Sequence, residues 1–291
     1  MPDETTATRP PRADLTAVER VPGAAKPDPI LVADDVTRTF GGIKAVDVAH
    51  LEIARHAITA LIGPNGAGKT TFFNLVTGFD RADSGRWTFD GRSVERDGAA
   101  RVAREGMVRT FQLTKALSRM TVLDNMRLGA RDQPGERLGA ALLPGLWRSR
   151  EREITDKALE LLARFRLDAK KDDFAGSLSG GQRKLLEMAR ALMSDPVMIM
   201  LDEPMAGVNP ALTQSLLGHI TSLRDEGMTV LFVEHDMHMV RHISDWVVVM
   251  AEGRIVAEGP ARSVMHEQAV VDAYLGSHQD RDLGDDSLLE D

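Results

Sequence analysis

Residues Gly63 to Thr70 read GPNGAGKT, the full eight-residue pattern of a loop that wraps phosphates. Its glycines let backbone N–H groups approach an anion, and it lies between the apolar run ITALIG and a helical segment, the setting this chemistry requires. The N–H groups of Asn65, Gly66, Ala67, Gly68, Lys69 and Thr70 are placed to surround phosphate oxygens, with Gly63 opening the loop and Thr71 following it. Lys69 would neutralise the β- and γ-oxygens and Thr70 would ligate Mg2+. The competing reading, a glycine-rich turn with an exposed lysine, does not account for the strand before it and the helix after it.

Asp202 and Glu203 end the apolar run VMIMLDEP. A carboxylate at the C-terminal end of a strand faces the crevice in which such sheets bind ligands. Asp202 suits Mg2+, directly or through water, and Glu203 suits orienting and deprotonating an attacking water. Adjacent acids alone are often a solvated turn; beside a complete phosphate loop they point to phosphoryl transfer to water. His235 ends FVEH and can reach the γ-phosphate from the same edge. His235, His238 and His242 also fall at i, i+3 and i+7, the spacing of a helical metal site, but the position of His235 at a strand end breaks that periodicity. A second glycine pair lies in LSGGQRKLLEMARAL, Leu178 to Leu192, where Ser179, Gly180, Gly181 and Gln182 open a helical run yet lack the glycine-lysine pair of a complete loop. Gln112 in VRTFQLTKAL and Phe40 say little by themselves: the first reads as surface, the second as core or as a ring that stacks on a base.

Positioning these groups requires a particular set of elements. ILVADDVTRTF and AVDVAHLEI about Gly41-Gly42 form an antiparallel pair, and ITALIG, VMIMLDEP and TVLFVEH are near-continuous apolar strands, as in a parallel sheet covered on both faces. Helical segments such as Pro210 to Asp225 lie between them, and WVVVMAEGRIVAEG adds two strands about Glu252-Gly253. Ile154, Ala158, Leu161, Leu162 and Phe165 fall on one helical face of a different-textured stretch. The fold class expected is α/β: a core with a mostly parallel central sheet, an antiparallel β subdomain and an inserted α-helical subdomain at about 113–180. The ordered domain is expected over 30–276. Residues 1–29, with six of the thirteen prolines, read as a disordered arm, and 277–291 as an acidic, solvated tail.

Composition narrows the function further. A net charge of −8 argues against non-specific nucleic-acid binding, and the absence of cysteine excludes disulfides, thiolate metal sites and cysteine catalysis. No apolar run approaches a membrane span, and the N-terminus lacks a secretory pattern, so a soluble protein retained where it is made is expected.

Taken in order, the phosphate loop, Gln112, LSGGQ, VMIMLDEP and His235 resemble the ATP-binding subunit of ABC transporters over about Ile30 to Gly276. The resemblance implies a P-loop NTPase core that binds ATP and Mg2+, with Phe40 stacking on adenine, Gln112 sensing Mg2+ and water, and His235 as the switch histidine. It also implies a head-to-tail dimer in which Ser179, Gly180, Gly181 and Gln182 of one subunit meet the γ-phosphate held by the other. AGVN, Ala206 to Asn209, stands where the family more often has Ser-Ala-Leu-Asp. VRTFQ, this alanine-glycine segment and the ending AVVDAYLG resemble the larger ATPase of branched-chain amino acid importers and their urea and amide relatives. That likeness implies a paralogous second ATPase, two integral-membrane permease subunits, an external solute-binding protein, and a place on the cytoplasmic face of the cell membrane. Leu113, Leu117 and Met120 then either help receive a cytoplasmic helix of the permease or simply pack the insert onto the core. Lipopolysaccharide-export ATPases are similar but lack VRTFQ. A non-transport ABC ATPase acting on DNA or ribosomes is opposed by the acidic balance and the single ATPase core.

Overall fold

The computed structural model describes residues 11–110, 115–131 and 148–274. Gln112 and Leu113, residues 1–10 and the acidic tail at 277–291 lie outside them. The chain divides into two compact units: Met1–Val102 with Thr221–Asp291, and Ala103–Ile220.

The first unit holds two sheets. In one, β1 (Pro29–Phe40) and β2 (Ile43–Ala54) pair antiparallel, and their turn is possible because Gly41 and Gly42 take φ of 54° and 86°. Leu31, Ala33 and Val36 of β1 and Val46, Val48, Leu51 and Ile53 of β2 are buried, the alternation that fixes which face meets the core. β4 (Ser84–Phe89) and the two-residue β5 (Arg92–Ser93) complete the order β2-β1-β4-β5. The other sheet centres on β3 (Ile58–Ile62), every residue of which is buried, flanked in parallel by β8 (Thr229–Val233) and β9 (Trp246–Ala251). β10 (Arg254–Gly259) returns antiparallel to β9 around Glu252-Gly253, as the sequence predicts. Helix α1 (Lys69–Val76) follows β3 and buries Phe72, Phe73, Leu75 and Val76.

Residues 11–29 correct the expectation of a disordered arm. Leu15 and Ala24 are buried, and the buried Lys26 ammonium lies 2.6 Å from Glu258 Oε2 and 2.6 Å from the Ala24 carbonyl. Ala24 N–H donates to Glu258 Oε1 at 2.6 Å, Trp246 Nε1–H donates to Oε2 at 3.0 Å, and Arg12 pairs with Asp225 at 2.6 Å. The arm is held by satisfying a buried carboxylate, a contact made by one lysine and one N–H, which low hydrophobicity and proline content conceal.

In the second unit, β6 (Met107–Arg109) and β7 (Met198–Asp202) are parallel. They are joined by α3 (Val122–Arg127), α4 (Arg148–Arg164) and α5 (Gly180–Leu192), while α2 (Ala99–Glu105) leads into β6 and α6 (Pro210–Asp225) follows β7. The predicted apolar face of α4 is the buried one: Ile154, Ala158, Leu161 and Leu162 are inside, with Phe165 just beyond. Fully buried Asn125 donates to the Leu117 and Thr121 carbonyls at 3.1 and 2.9 Å, tying the preceding loop to α3.

Candidate active site

The first unit carries the phosphate loop. β3 delivers Gly63, where an added Cβ would lie 1.9 Å from the Met250 carbonyl oxygen, and Gly68, where it would lie 2.2 Å from that of Ala45. Both residues are at positive φ, 150° and 98°, so the loop is threaded between β2 and β9 in a conformation only glycine permits. Ala67 N–H closes on the Pro64 carbonyl at 3.2 Å, and Gly253 N–H anchors the Ala67 carbonyl at 3.0 Å. Lys69 Nζ bridges the Gly63 and Pro64 carbonyls at 2.7 and 2.8 Å, which holds its charge over the concave side of the loop. Together the N–H groups opening α1, Thr70, Thr71 and this ammonium offer the donor set a triphosphate requires, and the Thr70 hydroxyl the oxygen a hard cation prefers.

Phe40 and His235 belong to the same unit. Phe40, at the tip of the β1–β2 hairpin, is 47% exposed, so it is not core; Arg38 lies over its ring at 4.6 Å. His235 follows β8 with its side chain 66% exposed, and its backbone N–H donates to the buried Glu234 carboxylate at 3.2 Å. Asp236 caps α7 (Met237–Ile243) by accepting from the N–H groups of His238 and Met239. His235 therefore stands outside the helix that carries His238 and His242, and among the described residues no group of three or more His, Cys, Asp or Glu is placed to hold a metal ion.

Asp202, Glu203 and Ser179–Gln182 belong to the second unit. Asp202 ends β7, and its Oδ2 accepts from Arg109 Nη2 at 2.5 Å. Glu203, the next residue, has φ of 45°, a left-handed backbone uncommon for a side chain with a Cβ; such strain costs on the order of 1 kcal/mol or more and gathers at functional positions. Its carbonyl accepts from Lys184 Nζ at 3.4 Å and from Ala206 N–H at 3.1 Å. Ser179 is the N-cap of α5 in a reciprocal capping box: Gln182 N–H donates to its hydroxyl at 3.3 Å, and its own N–H donates to Gln182 Oε1 at 3.0 Å. Gly181 is buried, and an added Cβ would meet Leu212 Cδ1 at 2.5 Å, so this glycine also serves close packing on the segment after β7. Asn209, where the motif more often has aspartate, accepts from Leu212 N–H at 3.0 Å and caps α6.

Three residues near this half have no role legible in the sequence, although Arg109 lies within VRTFQ and Lys184 and Glu187 within LSGGQRKLLEMARAL. Arg109 and Glu187 help line a cavity of about 450 Å³ with Thr110, Leu117, Leu128 and Arg190. Glu187 is 4% exposed and its Oε1 has no hydrogen-bond partner. Burial pushes its carboxyl up from the ordinary 4.5 to about 7; Lys184 and Arg190 oppose the shift and Asp202 adds to it. The only sequence signal is a lone acid within the apolar run Leu185, Leu186, Met188, Ala189.

The likenesses of the chain to known proteins fit these two halves. Residues 46–206 match the family described as ABC transporter. The chain is 41% identical over 254 residues to a probable branched-chain amino acid transport ATP-binding protein, LivG, of Archaeoglobus fulgidus, covering 87% of this chain and 98% of the relative. It is 38% identical to the high-affinity branched-chain amino acid transport ATP-binding protein BraF of Pseudomonas aeruginosa, covering 85% and 98%. Among solved structures, a nucleotide-free ATP-binding cassette of an ABC transporter superimposes with a TM-score of 0.75 at 38% identity, covering 84% of this chain and 98% of that one. An ABC-transporter cassette in its ADP conformation gives 0.74 at 37%, covering 86% and 100%.

Proposed function

Because the chain belongs to the ABC transporter family of ATP-binding subunits, we propose that it powers the import of branched-chain amino acids. The reading is carried by one observation above others: relatives named for that transport align over 98% of their own length. The protein is an ATPase that binds ATP and works with membrane permease subunits, and no described helix is long and apolar enough to cross a membrane itself.

In the proposed assembly this subunit pairs head to tail with a paralogous ATPase. ATP lies on the loop from Gly63 to Thr71, with adenine on Phe40, and its γ-phosphate meets Ser179, Gly180, Gly181 and Gln182 of the opposing subunit. The capping box supports this role, because it keeps the serine and the first N–H groups of α5 together at the helix end. Glu203 takes a proton from water as the water oxygen forms its bond to the γ-phosphorus, the bond to the bridging oxygen breaks, and ADP leaves. His235 holds the γ-phosphate. Thr70, Asp202 and Gln112 would hold Mg2+, which when bound neutralises phosphate charge; the Thr70 hydroxyl and the partly exposed Asp202 carboxylate are hard oxygen donors suited to it. Lys69 has only to turn from the loop carbonyls to the phosphate oxygens. ATP bridges the two subunits and hydrolysis removes the bridge, so the closed and open pairs differ in free energy by what the γ-phosphate contacts supply. A cytoplasmic segment of the permease is taken into the cavity beside Leu117, and an external binding protein delivers the amino acid.

Glu203→Gln is the direct test of the site. Steady-state hydrolysis should fall by about 10²-fold or more while ATP binding persists; substantial hydrolysis in the variant removes Glu203 from the role of base. For the transported solute, loss of the protein from its host should abolish high-affinity uptake of labelled leucine and leave urea uptake intact. The reverse pattern would reassign the cargo.

A further inference from the structure

Arg109 lies three residues before Gln112 and reaches the carboxylate proposed to hold Mg2+. β6 and β7 are parallel neighbours with Arg109 opposite Met200, and Thr110 N–H donates to the Met200 carbonyl at 2.9 Å, so the backbone fixes the approach. The Arg109 side chain is 5% exposed, and its Nη2 lies 2.5 Å from Asp202 Oδ2. Burying a guanidinium is costly unless its charge is matched, and here the match consumes the negative charge that a cation would need. An unneutralised carboxylate would attract a cation with or without nucleotide; a carboxylate paired with a guanidinium attracts one weakly until phosphate charge is added.

We propose that Arg109 is a positioning residue for Asp202, holding its carboxylate by one oxygen and making its capture of a divalent cation conditional on nucleotide. This rests on the reading of Asp202 as the metal carboxylate. The same guanidinium lines the cavity shared with Thr110, Leu117, Glu187 and Arg190, so a segment entering that cavity touches the group that governs Asp202. The end of β6 and the end of β7 are thereby joined by a charged contact as well as by the strand ladder. Neither residue motif around them, VRTFQ or LDEP, implies the other in sequence.

The test uses the full chain and Mn2+ as a spin-active probe, titrated with and without saturating ADP and read by electron paramagnetic resonance. The quantity of interest is the ratio of the two Mn2+ affinities. Arg109→Gln keeps a hydrogen-bond donor and removes the charge; it should tighten Mn2+ binding to the nucleotide-free chain by about tenfold or more and shrink the ratio correspondingly. Arg109→Lys restores the charge and should keep the wild-type ratio. A wild-type ratio in Arg109→Gln, or a ratio in Arg109→Lys as small as that expected for Arg109→Gln, overturns the proposal. Asp202→Asn separates the two readings. Unchanged Mn2+ binding in Asp202→Asn removes the metal carboxylate and the proposal with it, whereas weakened binding there beside an unaffected Arg109→Gln overturns the role of Arg109 alone.

Discussion

Replacing Glu187 by glutamine should stabilise the protein by an amount that depends on pH in a defined way. Its carboxyl lies 4% exposed on α5 with one oxygen unpaired, and burial raises its pKa from 4.5 to about 7. Below 4.5 the group is protonated in folded and unfolded chains alike and contributes no difference. As pH rises, the unfolded chain ionises first while the folded chain keeps its proton, so wild-type stability falls across the window from 4.5 to about 7 and then levels off. At roughly 1.4 kcal/mol per pH unit, the cost is about 1 kcal/mol at pH 5 and about 3 kcal/mol at pH 8. Glutamine has nearly the same shape and never ionises, so the cost disappears. Urea unfolding of both proteins at pH 5 and pH 8 measures this, because every titration common to the two cancels in their difference. The advantage of Glu187→Gln should grow by about 2 kcal/mol between those pH values. A constant advantage, or one that shrinks as pH rises, would refute the assignment of a neutral buried acid.

Other perturbations probe separate parts. Lys26→Met leaves Glu258 buried without its counter-charge and should cost about 3 kcal/mol in urea unfolding, the low end for a broken buried pair because Ala24 N–H and Trp246 Nε1–H still donate to it. Gly63→Ala places a methyl group against the Met250 carbonyl and should abolish ATP binding measured by a fluorescent analogue, through displacement of the loop; retained affinity would mean that β9 yields easily. Ser179→Arg should leave ATP binding to the isolated subunit intact yet prevent ATP-dependent dimerisation, as followed by light scattering. Loss of ATP binding in the monomer would place Ser179 in the subunit's own nucleotide site.

Much of this arrangement can be read from sequence because its determinants are local. GPNGAGKT, the turns at Gly41-Gly42 and Glu252-Gly253, and the five-residue face from Ile154 to Phe165 each declare themselves within a few residues, through positive φ or periodicity. What stays hidden joins distant residues. Lys26 and Glu258 are 232 positions apart, and Arg109 and Asp202 are 93 apart. Gly181 looks like a glycine chosen for an anion, but its close approach to Leu212 is visible only once α5 is packed. The backbone of Glu203 has no sequence signal at all, since left-handed φ in a non-glycine residue is imposed by its surroundings.

The placement of β3 also governs how the protein is made. The strand that delivers the phosphate loop is complete by Ile62, yet both of its sheet neighbours, β8 and β9, come from residues at or after Thr229. A chain emerging from the ribosome therefore carries the loop for well over half its length before Met250 and Gly253 arrive to anchor Gly63 and Ala67. Until then the loop lacks these anchors, whereas the residues of the second unit are all synthesised in one continuous stretch. Premature termination between Thr70 and β9 thus yields a product that retains the whole phosphate loop without the contacts of Met250 and Gly253 that anchor it.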